Sequence, residues 1–540
     1  MCIRDRLQDQ QGNSIPYRVL SGKEIVFEDR DFTPDDLTEL LDQIEIGFYK
    51  GRLISDVSVW IEGDTLRLEM VLPEYHTGQI GDFSSLIKSL RNDSRLQTVR
   101  HCHLVTYLAD VFRLAFIADN VPGVGYRAYW LANVPKTTTE DASGVGAKQE
   151  PIAALENEWL RVQADSKDGT LRVTDKLTGR TLEGLNQIQD GGDRGDEYNF
   201  CAPQNDTVVI NPIQPPAIEY HEEGEFGQTL VIRARYAIPA DLTSDRAARA
   251  HQTVEMPVTS TVRLLRGRRR IDIHTEITNV ALNHRLRVLF PCGVTSDRVI
   301  VDGHFDRVER TQKPSVDTAD WAEQPAPTAS CCDFTAVEHE GTGLMVAARG
   351  LPEYEHMVSS IESTLALTLL RAVGWLSRDD LECRPGHAGP ARRTPGAQCI
   401  GPITADYSLI PFGSTFTLDQ AAQEAYAFAA PLRGATAEPL NGNLPPTLQF
   451  ISLTPDKLVL TAVKPAESGE GIILRFYNSQ EHTVSGQLTF GLPFQELTSV
   501  NLLEEPHEKA GDWNINDQGE INLNVPPKHI VSLRVVLSEL

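Results

Sequence analysis

ENEWLRVQADSKDGTLRVTDKLTGRTLEG, Glu156 to Gly184, followed shortly by GDEYNF, Gly195 to Phe200, decides how this chain is read. Apolar and polar residues alternate at period two, as at Leu171 and Val173, and the alternating runs are separated by Asp168–Gly169 and Thr178–Gly179. Alternation of this kind marks a half-buried strand, and a turn pair between two such runs reverses the chain. The stretch is therefore a predicted strand-turn-strand unit.

The same pattern extends outward in both directions. Leu66–Leu68–Met70, Ile271–Ile273, Leu286–Val288–Phe290 and Val531–Leu533–Val535 alternate likewise, and Asp302–Gly303 and Asn441–Gly442 supply further turns. With Gly 39 and Pro 32 scattered along the chain, the punctuation is that of many short strands, so the expected class is mainly β. Two segments have helical spacing: Pro34 to Ile46, with Leu37, Leu40, Leu41 and Ile44 on one face, and Phe83 to Leu90. Both are too short and isolated for an α/β barrel. A first β-rich unit with these short helices is expected over residues 1–135, and a polar, small-residue linker over 136–151. A large two-sheet β-sandwich follows over 152–440, and a terminal β-sandwich over 441–540. Residues 383–401, rich in Gly, Pro and Arg, read as one long ordered loop of the kind that borders binding sites.

Composition narrows the function. The chain has 540 residues, enough for more than one core, and a formal charge of −25 that would repel a polyanion or an anionic membrane. Neutral, sugar-like partners fit better; nucleic acid and membrane are not expected. No run approaches the ~20 apolar residues of a membrane span, and the start lacks the apolar core of a signal peptide, so the expected location is cytoplasmic. Eight cysteines without CxxC pairs predict free thiols. The opening MCIRDR runs directly into a strand pattern, which reads as a chain whose true beginning is missing, with a short native N-terminus as the other reading.

Several clusters could carry chemistry. Asp196–Glu197 would point to opposite faces if extended, whereas Glu353 and Glu355 would share one; either could be an acid/base pair, and either could be tied to loop backbone or solvated. His304–Phe305–Asp306 has His-x-Asp spacing, and His101–Cys102–His103 puts two imidazoles on one strand face. Without a third and fourth ligand, a structural role is expected for both. Arg266–Gly267–Arg268–Arg269–Arg270 reads as a charged hairpin tip, with a phosphate site as the alternative.

The opening stretch, GDEYNF, IDIHTEITNVALNHRLRVLFPCG (Ile271 to Gly293), GLPEYE (Gly350 to Glu355), LTLLRAVGWLSRDDL (Leu367 to Leu381), TPGAQCIG (Thr394 to Gly401) and GIILRFYN (Gly471 to Asn478) together resemble the C-terminal half of glycoside hydrolase family 38, the α-mannosidases. TPGAQCIG and the lone arginine of LTLLR look most like its bacterial branch, which includes mannosylglycerate hydrolases. The resemblance implies retaining hydrolysis of an α-mannoside, with nucleophile and zinc ligands on an N-terminal barrel upstream of these blocks. The chain is thus expected to hold neither catalytic residues nor zinc ligands; zinc belongs to the intact enzyme. Its expected partners are that barrel, an α-mannoside and, through self-association, further copies of itself. The resemblance also implies substrate contacts beyond the cleaved bond from Tyr198 and Arg371, with Asp196 and Glu353 beside them as candidate substrate-binding residues. The competing structural reading pairs Arg371 with a buried acid such as Glu353 or Asp196. A stand-alone carbohydrate-binding or scaffold protein is the alternative function, and a glycosidase using Asp196 or Glu353 in its own cleft a third.

Overall fold

The structure, a computed structural model, describes residues 6–21, 25–50, 52–73, 83–109, 113–132, 154–222, 224–311, 316–437, 442–507, 512–516 and 519–538. The expected linker, 136–151, lies outside the described residues. Two compact units emerge: described residues of 1–122, 126–143 and 445–447 form one, and those of 123–125, 144–444 and 448–540 the other.

In the first unit the strands Ile25–Phe32, His101–Ala109, Thr65–Pro73 and Asp56–Glu62 form a sheet in that order. The central pair is parallel, which demands a crossover, and the helix Ser84–Arg91 lies on it. Leu66, Leu68, Met70 and Leu72 alternate onto one face and are buried against Leu40, Leu41 and Ile44 of the helix Leu37–Glu45 and against Ile87 and Leu90. Both expected helices are therefore present, each covering the sheet with its apolar stripe.

The second unit is built on a nine-stranded antiparallel sheet that begins with Ala217–Glu222, Gly227–Pro239, Thr253–Leu265, Ile271–Asn279 and Gly401–Phe412. It continues through Thr342–Arg349, Phe334–His339, Arg298–Asp302 and Arg307–Thr311. A five-stranded sheet runs in the order Gln187–Gly192, His284–Pro291, Ser363–Ala372, Glu353–Val358 and Thr328–Ser330. Their inner faces share one core, in which Leu286, Val288 and Phe290 meet Ile271, Ile273, Val346 and Tyr407. The opening stretch forms a four-stranded antiparallel sheet, Leu155–Glu156 to Thr181–Leu185, that feeds Leu160, Val162, Leu171 and Val173 into the same core. Gly169 and Gly179 take φ of +81° and +73° in its turns, conformations only glycine adopts cheaply. The fold is thus mainly β, as the alternation predicts.

A helix that sequence patterning leaves unnoticed, Leu418–Ala429, starts at a capping box between Thr417 and Gln420. It lays Ala421, Ala422, Ala425 and Phe428 on the outer face of the nine-stranded sheet, against Phe334, Ala336, Met345 and Phe412. Beyond it, two four-stranded sheets, one around Val484–Phe490 and Ile521–Val525 and the other around Ile472–Asn478 and Ile530–Leu537, enclose a separate core.

Where the helix meets the large sandwich, Tyr426 donates its hydroxyl to Asp302 at 2.8 Å and the amide of Asp333 donates to the same carboxylate at 3.2 Å. Burial pushes the Asp302 carboxyl up to about 6 despite these donors. The folded protein therefore holds this proton more tightly than the unfolded chain, whose aspartate titrates near 3.8. The contribution to stability is complete below that value and is lost as pH rises from about 4 to about 6. Asp302→Asn is expected to remove about 3 kcal/mol of this pH dependence, measured as urea midpoints across the window. A variant profile parallel to the parent's would place the dependence elsewhere.

Candidate functional site

The strand Gln187–Gly192 runs out of the five-stranded sheet into the loop that contains GDEYNF. Asp193, fully buried, closes this loop: its Oδ1 accepts from the amides of Gly195 at 2.9 Å and Cys201 at 3.2 Å. Its Oδ2 takes the fork of Arg371, Nε at 2.9 Å and Nη2 at 2.8 Å. Complete burial pushes the Asp193 carboxyl upward, against the pull of Arg371 and the two amides. Gly195 is obligatory at this bend, since a Cβ there would sit 2.0 Å from the carbonyl oxygen of Asn199.

Three residues after Asp193, Asp196 is also fully buried. Its Oδ1 accepts from the amides of Tyr198 at 3.0 Å and Asn199 at 2.9 Å, and its Oδ2 from the amide of Arg378 at 2.8 Å and from Arg384 Nη2 at 2.5 Å. Burial alone would raise this carboxyl, but the Arg384 guanidinium and the amides of Arg378 and Asn199 hold it below the usual range. A glycosidase acid needs the opposite shift, and Asp196 has no lone pair left for a substrate. Its role is to shape the turn that carries Tyr198.

Tyr198 itself stands out of that turn with 54 % of its surface exposed. Arg384, from the long loop 383–401, lies 5.9 Å from its ring centroid, and Gly389 is so close that a Cβ would meet the hydroxyl at 2.9 Å. Ser377 Oγ pins this loop by accepting from the amides of Ala388 at 2.9 Å and Gly389 at 3.2 Å. Alongside, Trp375 is flanked by Arg378 and Arg393, 5.1 and 4.0 Å from its ring. The long loop thus borders the candidate site, as its composition predicts.

Arg371 and Arg285 are directly opposite on neighbouring strands, an arrangement that like charges normally destabilise. They diverge: Arg371 turns to Asp193 and to the carbonyl of Asp196 at 3.0 Å, while Arg285 stacks 3.6 Å from the Phe200 centroid and reaches Glu355 at 3.3 Å. Burial, with Arg287 beside it, pulls the Arg285 guanidinium down to about 10. The arginine does pair with a buried acid, but that acid is Asp193, and Asp196 contributes only its carbonyl. Glu353 is elsewhere: it accepts from Thr368 Oγ1 at 2.6 Å, farther back along the strand of Arg371. Asp196, Tyr198 and Arg371 are therefore brought together, and Glu353 is not. Asp193 and Arg384 are the residues that sequence reasoning missed. The short spacing of Asp193, Gly195 and Asp196 hints at side-chain-to-backbone turns, but the arginine partners come from distant strands and loops.

The two histidine motifs make their contacts away from the Tyr198 loop. His103 faces Asp31 at 2.8 Å and Asp29 at 3.2 Å, and Asp306 binds Lys528 at 2.6 Å. Among the described residues no group of three or more His, Cys, Asp or Glu side chains is placed to hold a metal ion.

Two family profiles match the chain. One, described as "Glycosyl hydrolases family 38 C-terminal domain", covers residues 155–382, and the other, "Glycosyl hydrolases family 38 C-terminal beta sandwich domain", covers 457–533. The chain belongs to glycoside hydrolase family 38 through its C-terminal domains. A curated relative, the "Putative mannosylglycerate hydrolase" of Halalkalibacterium halodurans, is 27% identical over 447 residues, 79% of this chain and 46% of that protein. An α-mannosidase from Enterococcus faecalis V583 shares the fold with a TM-score of 0.69 at 21% identity, over 98% of this chain and 50% of that one. A second Enterococcus faecalis family 38 protein gives 0.65 at 21% identity, over 98% of this chain and 58% of that one. The chain thus spans about half the length of these three proteins. Tyr198 and Arg371 both fall within the first matched domain.

Proposed function

We propose that this chain is the C-terminal β portion of a retaining α-mannosidase, packing against a catalytic barrel and supplying contacts on the aglycone side of the sugar site. The observation that carries the reading is the pairing of an exposed, braced Tyr198 with an Arg371 whose Nε and Nη2 are fixed by Asp193. Nη1 of Arg371 takes no partner among the described residues. Arginine so held offers a rigid donor to a hydroxyl, and a tyrosine can stack on a sugar face while its own hydroxyl bonds. Organisation of both groups before substrate arrives lowers the ordering cost of binding. Retaining chemistry requires two carboxyl groups ~5–5.5 Å apart, one to attack and one to protonate the leaving oxygen. Asp196 is spent on its own turn and Glu353 lies away from Tyr198, so the pair is assigned to the barrel. Zinc is assigned there too, since no group of three or more His, Cys, Asp or Glu side chains among the described residues is placed to hold it.

The test is turnover of a chromogenic α-mannoside by the purified chain alone, and by the chain combined with the part of the Halalkalibacterium relative outside the match. The chain alone is expected to be inactive and the combination active. In the combination, Arg371→Lys is expected to raise KM roughly tenfold with little change in kcat, since it weakens binding common to ground and transition states. Turnover by the chain alone, or a combination indifferent to both Arg371→Lys and Tyr198→Ala, overturns the proposal.

A further inference from the structure

The arginine run Arg266–Arg270 forms a hairpin tip, as expected, but its four guanidinium groups are not equivalent. Arg266 faces Glu158 at 3.6 Å, Arg268 and Arg270 share Glu424 at 3.5 and 2.9 Å, and Arg270 also meets Asp272 at 2.9 Å. Arg269 alone has no carboxylate partner among the described residues, in a chain whose net charge is −25. Its guanidinium lies 5.5 Å from the Trp159 ring and 4.9 Å from the Phe416 ring. Its Nη1 donates to the carbonyl of Thr415 at 2.8 Å, and its Nη2, buried, has no partner. Aromatic faces attract a cation but offer no lone pair to its in-plane hydrogens. An unpaired buried donor costs about 1–3 kcal/mol, and such groups call for an explanation.

The explanation is next to it. Trp159, Leu177, Arg269, Thr415, Gln420 and Glu424 line a cleft of about 370 Å³. The depression is open to solvent on one side, and its volume admits one sugar-sized ligand with a face left exposed. Gln420 spends its carbonyl oxygen on the Thr417 amide at 2.9 Å, which leaves its NH₂ available as a donor. Glu424 is the lone acid facing the cleft, and Arg268 and Arg270 already neutralise it. The free polar groups are therefore mostly donors around one uncompensated cation, beside an apolar wall that includes the exposed Leu177.

We propose that this cleft binds a sugar acid: a small carboxylate whose remaining carbons carry hydroxyl groups. A planar carboxylate matches the in-plane donors of one guanidinium, whereas a phosphate dianion calls for more than a single free cation. The C–H face of the ligand packs on Trp159 and Leu177, and its hydroxyls meet Gln420 and Thr415. The site is distinct from the Tyr198 region and independent of the function proposed above. It sits at the start of the strand Ile271–Asn279, and the far end, Asn279, bonds the carbonyl of Gln398 beside the Tyr198 site. At ~3.3 Å per residue the two ends are roughly 26 Å apart.

Calorimetric titration of the purified chain tests this, with glucuronate and glycerate as ring and open-chain carboxylates, and methyl glucoside and inorganic phosphate as controls. At least one carboxylate is expected to bind with Kd near a millimolar, and the neutral glucoside at least about tenfold more weakly. Which carboxylate binds identifies the source of the acid. Arg269→Gln is expected to weaken binding at least about tenfold. Gln420→Glu does the same by placing a carboxylate against the ligand, and it preserves folding because glutamate completes the same capping box. No binding by either carboxylate, equal binding of the neutral glucoside, tighter binding of phosphate, or carboxylate binding unchanged in Gln420→Glu overturns the assignment.

Discussion

Asp193→Ala is expected to lower the free energy of unfolding by about 3–5 kcal/mol, read as a fall in urea midpoint at unchanged slope. Four donors lose their acceptor at once: Nε and Nη2 of Arg371 and the amides of Gly195 and Cys201. Arg371 is then left facing Arg285 across the strand pair with no acid between them. Asp193→Asn keeps the shape yet is expected to cost nearly as much. Its one oxygen can serve the two amides, but its NH₂ then points at Nε and Nη2 of Arg371, donor against donor. If the carboxylate acts mainly through Arg371, the double variant with Arg371→Leu should cost clearly less than the sum of the single changes. Additive losses, or an Asp193→Asn midpoint equal to that of the parent, would show that the ion pair does not hold this loop.

The contrast between Asp193 and Tyr198 shows how far sequence reasoning reaches. Period-two alternation depends on a residue and its immediate neighbours, so Leu171, Val173, Ile271 and Leu286 were legible as core, and each is buried. Tyr198 and Arg371 became legible through family blocks, and the structure places them on adjoining segments. The partner of Arg371 was expected to be Glu353 or Asp196. Which acid it meets depends on strand register and on how the loop after Gly192 folds back, and neither is written in local spacing. The helix Leu418–Ala429 escaped for a different reason. Its buried face is Ala421, Ala422, Ala425 and Phe428, so three of four core positions are alanines, whose small apolar contrast hides the helical stripe. The capping box of Thr417 and Gln420 was the readable signal. The arginine run was read correctly as a hairpin tip, yet sequence could not separate Arg269 from its paired neighbours, because Glu424 reaches the tip from a helix far along the chain.

Gly195→Ala is expected to be at least as disruptive as loss of Asp193, and to act through the backbone rather than through charge. The added methyl would lie 2.0 Å from the Asn199 carbonyl oxygen, 2.7 Å from Asp193 Oδ1 and 2.9 Å from the Cys201 amide nitrogen. Two of these are main-chain atoms that cannot rotate away, so the loop must open. Opening breaks the bond from the Asp196 amide to the Asn199 carbonyl, 3.0 Å, and draws the Asp196 carboxylate off the amides of Tyr198 and Asn199. Point changes costing more than about 4 kcal/mol are rare and arise from mechanisms of this kind, in which steric overlap and lost buried hydrogen bonds coincide. Hydrogen exchange localises the damage: the amides of Gly195, Tyr198, Asn199 and Cys201 should lose protection, while the Ile271–Asn279 strand keeps its own. In the combination with the relative's remaining part, if Tyr198 contacts sugar as proposed, the same variant should match Tyr198→Ala in sugar binding, because a tyrosine on an opened loop no longer presents its ring in one place. Unchanged protection at Tyr198 and Asn199 would mean that the bend tolerates a side chain, and that Tyr198 is not positioned by the Asp196 turn.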